Sequence, residues 1–272
     1  MEEGRRGSII DVFSTASAVG KTLIGINMAA ELSSQGYDVC LADVDLQFGD
    51  ICNYLHLMPE RTIADAARAV KEAPESFDAR EFLDVYRCDD ISFSVLAAPI
   101  RLDEAYNIEA TSVQNILQNL QFNFDFVVVD TTSAFSEINL MVMDMSTIIT
   151  FLGIVDFIPT IKNMKIGCDT IRGLGYEDSK IRLVLNRSNS QTKIELGDVE
   201  KLLGDHFYHV LPNDFEAARD SIMTGVPLVH TRNTALAGAM RELVARYTNQ
   251  AVEQVPEKRG GGVSSWLGRF FN

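Results

Sequence analysis

The segment Ser8-Ile-Ile-Asp-Val-Phe13 runs directly into a loop of small side chains, Ser14 to Val19, and then into Gly20-Lys21-Thr22. This order of strand, tight loop and helix start restricts the folds open to the chain more than any other feature. Gly20 lets the backbone come close to a phosphate, Lys21 offers a point charge to β/γ-phosphates, and Thr22 offers a hydroxyl to Mg²⁺. The helix that follows directs its amide ends at the anion. A phosphate loop normally carries a first glycine five residues before Gly20; Thr15 stands there, and Ala16, Ser17 and Ala18 fill the turn.

Downstream, strand and helix patterns alternate. Leu23 to Gln35 repeats apolar residues at helical spacing and stops at Gly36, and Val39 to Asp43 reads as a short strand. Helices are predicted near Ile63 to Val70 and Ala79 to Tyr86, a strand over Ile91 to Ala97, a helix over Thr111 to Leu120, and an apolar strand over Phe124 to Asp130. Strands follow at Ser146 to Leu152 and Ile181 to Asn186, and a last helix runs from about Thr234 to Asn249. Short continuous Val/Ile/Leu strands divided by helices predict an α/β fold: a doubly wound, mostly parallel sheet with helices on both faces. Ligands of such sheets gather at the carboxyl ends of the strands, where the first loop, Asp43, Asp45 and Asp130 would lie.

Composition narrows the function classes. With 46% hydrophobic residues, 272 residues can bury a large core, and a net charge of -14 argues against broad nucleic-acid binding. Cys40, Cys52, Cys88 and Cys168 are far apart with no signal peptide ahead of them, which predicts reduced thiols in a cytoplasmic protein and neither disulfides nor zinc. The longest apolar run, Met141 to Val155, is too short and too interrupted to span a bilayer. His206 and His209 would point to opposite faces of a strand, and His56 and His230 show no partner in the sequence.

Asp130 closes Phe126-Val-Val-Val129, the position from which a carboxylate supports Mg²⁺ in phosphate-loop proteins, usually through water. Asp43 and Asp45 flank Val44 beyond the second strand. Two carboxylates so close repel unless a metal or an attacking water shares them.

The order Gly20-Lys21-Thr22, Asp43-Val-Asp45, Val127-Val-Val-Asp130, Asn186-Arg187 and Pro212-Asn-Asp214 resembles the MinD/ParA family of deviant Walker ATPases over nearly the whole chain. Leu46-Gln-Phe-Gly-Asp50, Pro59-Glu-Arg-Thr-Ile-Ala-Asp65 and Leu96-Ala-Ala-Pro99 look most like its TadZ/CpaE branch, whose members position type IV (Flp/Tad) pilus machinery at a cell pole. The resemblance implies ATP and Mg²⁺ as cofactors. Lys21 and the amides of Ser17, Ala18, Val19 and Gly20 would cradle phosphate, and Thr22, Asp43 and Asp130 would serve the metal. Asp45 would orient the attacking water, and Asn186, Arg187 and Pro212 would frame the base. It also implies a homodimer, pilus-assembly or secretion proteins as partners, and an ATPase domain over residues 1–255. A MinD-like role in placing a division site or flagellum, and a non-catalytic scaffold keeping the fold, are the alternatives. Pilus-assembly members often carry a receiver-like domain ahead of the first strand; this chain begins directly at that strand, as a trimmed or minimal member would.

The departures carry equal information. The family's signature lysine, which reaches the partner's ATP across the dimer, falls on Ala16. Losing it removes a charge contact of the kind worth roughly 10³ to 10⁵ in rate. Slow ATP hydrolysis and binding without hydrolysis both fit, so the chain is a weak ATPase at most. Ala18 has a Cβ where glycine would take positive φ freely, and Thr131-Thr-Ser-Ala134 lacks the usual proline and glycine.

Residues 256–272 read as a flexible linker and a short amphipathic helix. Val263, Trp266, Leu267, Phe270 and Phe271 fall on one stripe that folds only when buried. Its target is either a membrane surface, with Lys258, Arg259 and Arg269 facing anionic headgroups, or the protein's own core or a partner.

Overall fold

A computed structural model describes residues 6–188, 194–231 and 233–248. The stripe formed by Val263, Trp266, Leu267, Phe270 and Phe271 lies outside the described residues.

Eight strands form one sheet in the order β3-β4-β2-β5-β1-β6-β7-β8. They are β1 (Ser8–Phe13), β2 (Val39–Asp43), β3 (Asp84–Cys88), β4 (Ile91–Leu96), β5 (Phe126–Asp130), β6 (Ile148–Gly153), β7 (Ile181–Ser188) and β8 (His209–Pro212). Every neighbouring pair is parallel except β3 with β4. The helices are α1 (Lys21–Ser34), α2 (Ile51–Leu55), α3 (Ile63–Glu72), α4 (Leu102–Ala105), α5 (Ala110–Asn123), α6 (Glu137–Met145), α7 (Ile158–Gly173), α8 (Leu196–Leu203), α9 (Phe215–Thr224), α10 (Leu228–Thr231) and α11 (Ala235–Tyr247). This is the doubly wound architecture read from the sequence.

The period of two along β1 divides its side chains between the two faces of the sheet. Ile10 and Val12 pack with Ile24 and Met28 of α1 and Met240 of α11. On the opposite face Ile9 joins Ile63 and Ile116, and Phe13 joins Ile161, Met164 and Leu203. Each such side chain, fully removed from water, contributes about 1.5–3 kcal/mol. Asn27, buried within α1, donates from Nδ2 to the Leu23 carbonyl at 2.7 Å and accepts at Oδ1 from the Val229 amide of α10 at 3.1 Å. Gly36, at φ +87°, ends the first helix as its sequence implies.

One element differs in kind from expectation. Ala79, Phe82, Leu83 and Tyr86 recur at helical spacing, but only Ala79–Phe82 forms a turn of 3₁₀-helix, and Asp84–Cys88 becomes the antiparallel edge strand β3. Pairing with β4 wins because Tyr86 packs on Phe93 with ring centroids 5.0 Å apart and its hydroxyl donates to the Gly225 carbonyl at 2.8 Å.

Thr15, the residue in place of the loop's first glycine, is accommodated by a glycine elsewhere. A Cβ on Gly167 of α7 would lie 2.4 Å from Thr15 Cγ2 and 2.8 Å from Phe151 Cζ. Neither neighbour can move aside, because Thr15 is short and Phe151 is buried. Gly167→Ala should therefore destabilise the protein by about 1–3 kcal/mol despite alanine's better helix propensity. Thr15→Gly in that background should recover part of the loss, as measured by urea unfolding.

Candidate nucleotide and metal site

The carboxyl ends of β1, β2 and β5 meet because the central strands pair in parallel and in step. Val12 lies opposite Asp130, and Asp43 opposite Asp130 on its other side. The loop leaving β1 reaches α1 through Gly20 at φ +98°, and no side chain caps the start of this helix or puts an acid in its first turn. The first amides of α1 are therefore open to an anion at the loop. Ser17 and Ala18 are exposed, and Val19 is buried beneath them.

Lys21 Nζ donates to Ser133 Oγ at 3.1 Å, and Ser133 Oγ donates in turn to the Ala16 carbonyl at 2.9 Å. Thr22 Oγ1 donates to Asp130 Oδ2 at 2.6 Å. The other Asp130 oxygen, Oδ1, is buried without a hydrogen-bond partner among the described residues. Burial raises the Asp130 carboxyl above the ordinary carboxylate range, against the lowering effects of the Thr22 hydroxyl and Lys21. A hydroxyl and a partnerless carboxylate oxygen, backed by a lysine, form a hard-oxygen donor set that fits Mg²⁺ with phosphate.

Asp43 is placed differently from Asp130. Its Oδ1 accepts from the Asp45 amide at 3.2 Å and its Oδ2 from the Ile51 amide at 3.1 Å, so the carboxylate also shapes the loop after β2. Burial and the adjacent Asp130 charge hold the Asp43 carboxyl well above its usual range. A Cβ on Gly49 would lie 2.5 Å from both Asp43 oxygens, so only glycine lets the chain pass this close. Asp45 is half-buried, and its Oδ1 accepts from the Phe48 amide at 3.2 Å.

The residues read as framing a base brace the loop from the side. Asn186 Nδ2 donates to the Val19 carbonyl and Arg187 Nη2 to the Ala18 carbonyl, both at 2.8 Å. Pro212 closes the neighbouring strand β8 in register with Ser188. Ala18 and Arg187 both adopt left-handed backbone, at φ +58° and +54°. Two non-glycine residues in this region, hydrogen-bonded to each other's segment, concentrate roughly 1–2 kcal/mol each of strain at the loop.

Several contributors were not singled out from sequence. Ser133 holds Lys21. Asn139 of α6 ties down the loop after β5, donating from Nδ2 to the Thr132 and Ala134 carbonyls at 3.1 and 2.7 Å, which orders that loop without proline or glycine. Asp11, mid-strand in β1 and fully buried, accepts from Thr131 Oγ1 at 2.9 Å, and its Oδ2 has no partner among the described residues. A charged residue inside an apolar strand was the signal for Asp11; no local pattern marks Ser133 or Asn139. The histidines are dispersed: His206 meets Glu200 at 3.0 Å, and His209 is buried against the Ala239 carbonyl.

Burial raises the Asp11 carboxyl to about 7, against the lowering effect of the Thr131 hydrogen bond. The folded state therefore binds a proton that the unfolded chain, with a carboxyl near 3.9, has released. This contribution to stability is full below about pH 4 and is lost as pH rises through about 7. Without ligand, the protein should lose on the order of 1 kcal/mol per pH unit from Asp11 between pH 5 and 7. Urea unfolding of Asp11→Asn should show a shallower pH slope.

The comparisons agree with this geometry. The model of the CobQ/CobB/MinD/ParA nucleotide binding domain matches residues 10–224. A ParA family ATPase from Chlorobium tepidum superposes with a TM-score of 0.80 at 18% identity, covering 88% of this chain and 98% of that one. The cell division ATPase MinD of Pyrococcus furiosus gives 0.74 at 21%, covering 90% and 100%. MinD of Pyrococcus horikoshii, complexed with Mg-ADP, gives 0.73 at 17%, covering 89% and 96%. No curated protein matches by sequence. With a buried first strand, an uncapped Gly-Lys-Thr helix start and a family match over most of its length, the chain belongs to the CobQ/CobB/MinD/ParA nucleotide-binding family.

Proposed function

We propose that this protein is an ATP-switched positioning factor of the TadZ/CpaE type, which dimerises on Mg·ATP and recruits a type IV (Flp/Tad) pilus or secretion machine, with slow or absent hydrolysis. The observation that carries the nucleotide part is the convergence of Lys21, Thr22 and the partnerless Asp130 Oδ1 at the uncapped start of α1. In this reading Lys21 and the amides of residues 17–20 hold the phosphates, Thr22 and Asp130 serve Mg²⁺ with Asp43 behind them, and Asp45 orients water. Asn186, Arg187 and Pro212 frame the base. Magnesium, when bound, neutralises charge on the phosphates and on the two aspartates.

Dimerisation is supported by apolar side chains at the same end of the sheet. Phe48, Ile100, Phe157 and Phe215 follow β2, β4, β6 and β8, and each is at least 66% exposed. Among similar structures, one from Aquifex aeolicus is a MinC:MinD complex, a precedent for partner recruitment by this fold. The pilus assignment rests on the sequence resemblance given above. Ala16, where the family's lysine would stand, favours a second reading, a scaffold that binds nucleotide without turnover.

Among the described residues no helix is long and apolar enough to cross a membrane. In this reading attachment at a cell pole runs through partners or the stripe at residues 263–271. Liposome sedimentation with and without residues 260–272 tests the stripe, and equal pelleting rejects membrane contact.

Calorimetric titration should show Mg·ATP binding that weakens about 10- to 100-fold in Lys21→Ala, the worth of a charged hydrogen bond of roughly 1.5–3 kcal/mol. No binding by the native chain overturns the proposal. Steady-state phosphate release should be slow and should fall in Asp45→Ala; binding without any release selects the scaffold.

A further inference from the structure

Far from the nucleotide loop, at the turn between the edge strands β3 and β4, a second group of chemically active side chains converges. Cys88 ends β3, Asp89 and Asp90 form the turn, and His230 arrives from α10, some 140 positions later in the chain. The Cys88 thiol, an Asp89 carboxylate oxygen and a ring nitrogen of His230 all lie within 4.8 Å of one another. His230 Nε2 is 2.9 Å from Asp89 Oδ2, and its Nδ1 is 3.8 Å from Asp90 Oδ1. From these positions we infer a site for a borderline divalent cation, with Zn²⁺ as the best match, independent of the nucleotide reading.

The donor chemistry selects the metal. A thiolate and an imidazole disfavour Mg²⁺ and Ca²⁺, which take hard oxygens, while sulfur, nitrogen and one carboxylate together suit Zn²⁺. Tetrahedral bonds of about 2.0–2.3 Å require donor separations of roughly 3.3–3.8 Å, so the widest separations in the group, up to 4.8 Å, need to close by up to about an ångström, while the Asp89–His230 pair, now hydrogen-bonded at 2.9 Å, needs to part by about 0.4 Å. Asp89 can supply that movement because its side chain is 80% exposed. The thiol side is sheltered: Cys88 is half-buried against the core, and Tyr86, on the same face two residues earlier, fixes its hydroxyl on Gly225. The carboxylate side opens to solvent and gives an entry path. With Nε2 on the metal, Asp90 would face Nδ1 and hold the ring's tautomer, as carboxylates behind metal-bound imidazoles commonly do. Asp89 is held at φ +50°, one of four non-glycine residues at positive φ among the described residues, and this turn aims its carboxylate at His230.

Three protein ligands leave room for water, so the site would tie the edge hairpin to α10 while staying exchangeable. His230 lies some 140 positions beyond the adjacent Cys88 and Asp89, too far for spacing to reveal the set, which is why the cysteine pattern alone predicts no zinc.

The test uses Co²⁺ as a spectroscopic probe on the untagged full chain, kept reduced with a non-chelating phosphine. One Co²⁺ per chain should give a thiolate-to-metal charge-transfer band that Zn²⁺ bleaches. Cys88→Ser should abolish the band, and His230→Ala should weaken Co²⁺ binding by on the order of 100-fold. Asp90→Asn should weaken it about tenfold. Far-ultraviolet circular dichroism should show each variant folded, and Zn²⁺ should raise the melting temperature of the native chain but not of His230→Ala. Absence of a charge-transfer band in the native chain, or a band that survives Cys88→Ser, overturns the assignment.

Discussion

Two buried carboxylates set the conditions for everything at the carboxyl end of this sheet. Asp43 and Asp130 stand opposite each other on adjacent parallel strands, both removed from water, and each raises the free energy of the other's charge. Parallel pairing fixes that juxtaposition; no rotation of a loop can relieve it. The protein meets the cost with a hydroxyl from Thr22, a lysine from the same helix and two loop amides, and among the described residues one Asp130 oxygen has no partner. Like charges held together in this way would favour a divalent cation, which is the role the proposed function gives this end of the sheet.

The loop above them shows how a turn of this shape is held without glycine at positions 15 to 18. Thr15 is seated because α7 has a glycine at position 167 facing it, so the space its side chain needs is provided by a neighbouring helix. Ala18 keeps a left-handed backbone, with its carbonyl held by Arg187, itself left-handed. Ser133 and Asn139 perform comparable service after β5, where hydrogen bonds replace the stiffness of proline. In each case a side chain from a distant segment compensates a local departure.

That division explains what the sequence disclosed. Six of the eight strands were legible because they are continuous apolar runs with a turn or helix start at each end, and Asp43 and Asp130 followed from ending two of them; β8, only four residues long and half exposed, carries no such run. The stretch Ala79 to Tyr86 was misread because its apolar spacing satisfies a helix equally well, and only the tertiary contacts of Tyr86 with Phe93 and Gly225 decide for a strand. Ser133, Asn139 and Gly167 act across gaps of many residues, so no local pattern announces them. Asp11 was visible as an anomaly in an apolar strand, but its partner Thr131 became identifiable only once β1 and β5 were paired.

Asn27 gives the helix that starts at the phosphate loop a direct attachment to the far edge of the molecule. Its side chain joins a carbonyl one turn back in α1 to the amide of Val229, the residue beside His230. The bond is buried, so water cannot substitute for it if the two segments part. Parting of α1 from α10 would strand a buried amide and a buried amide oxygen, so this one side chain keeps the helix that starts at the phosphate loop and the segment next to His230 in fixed register.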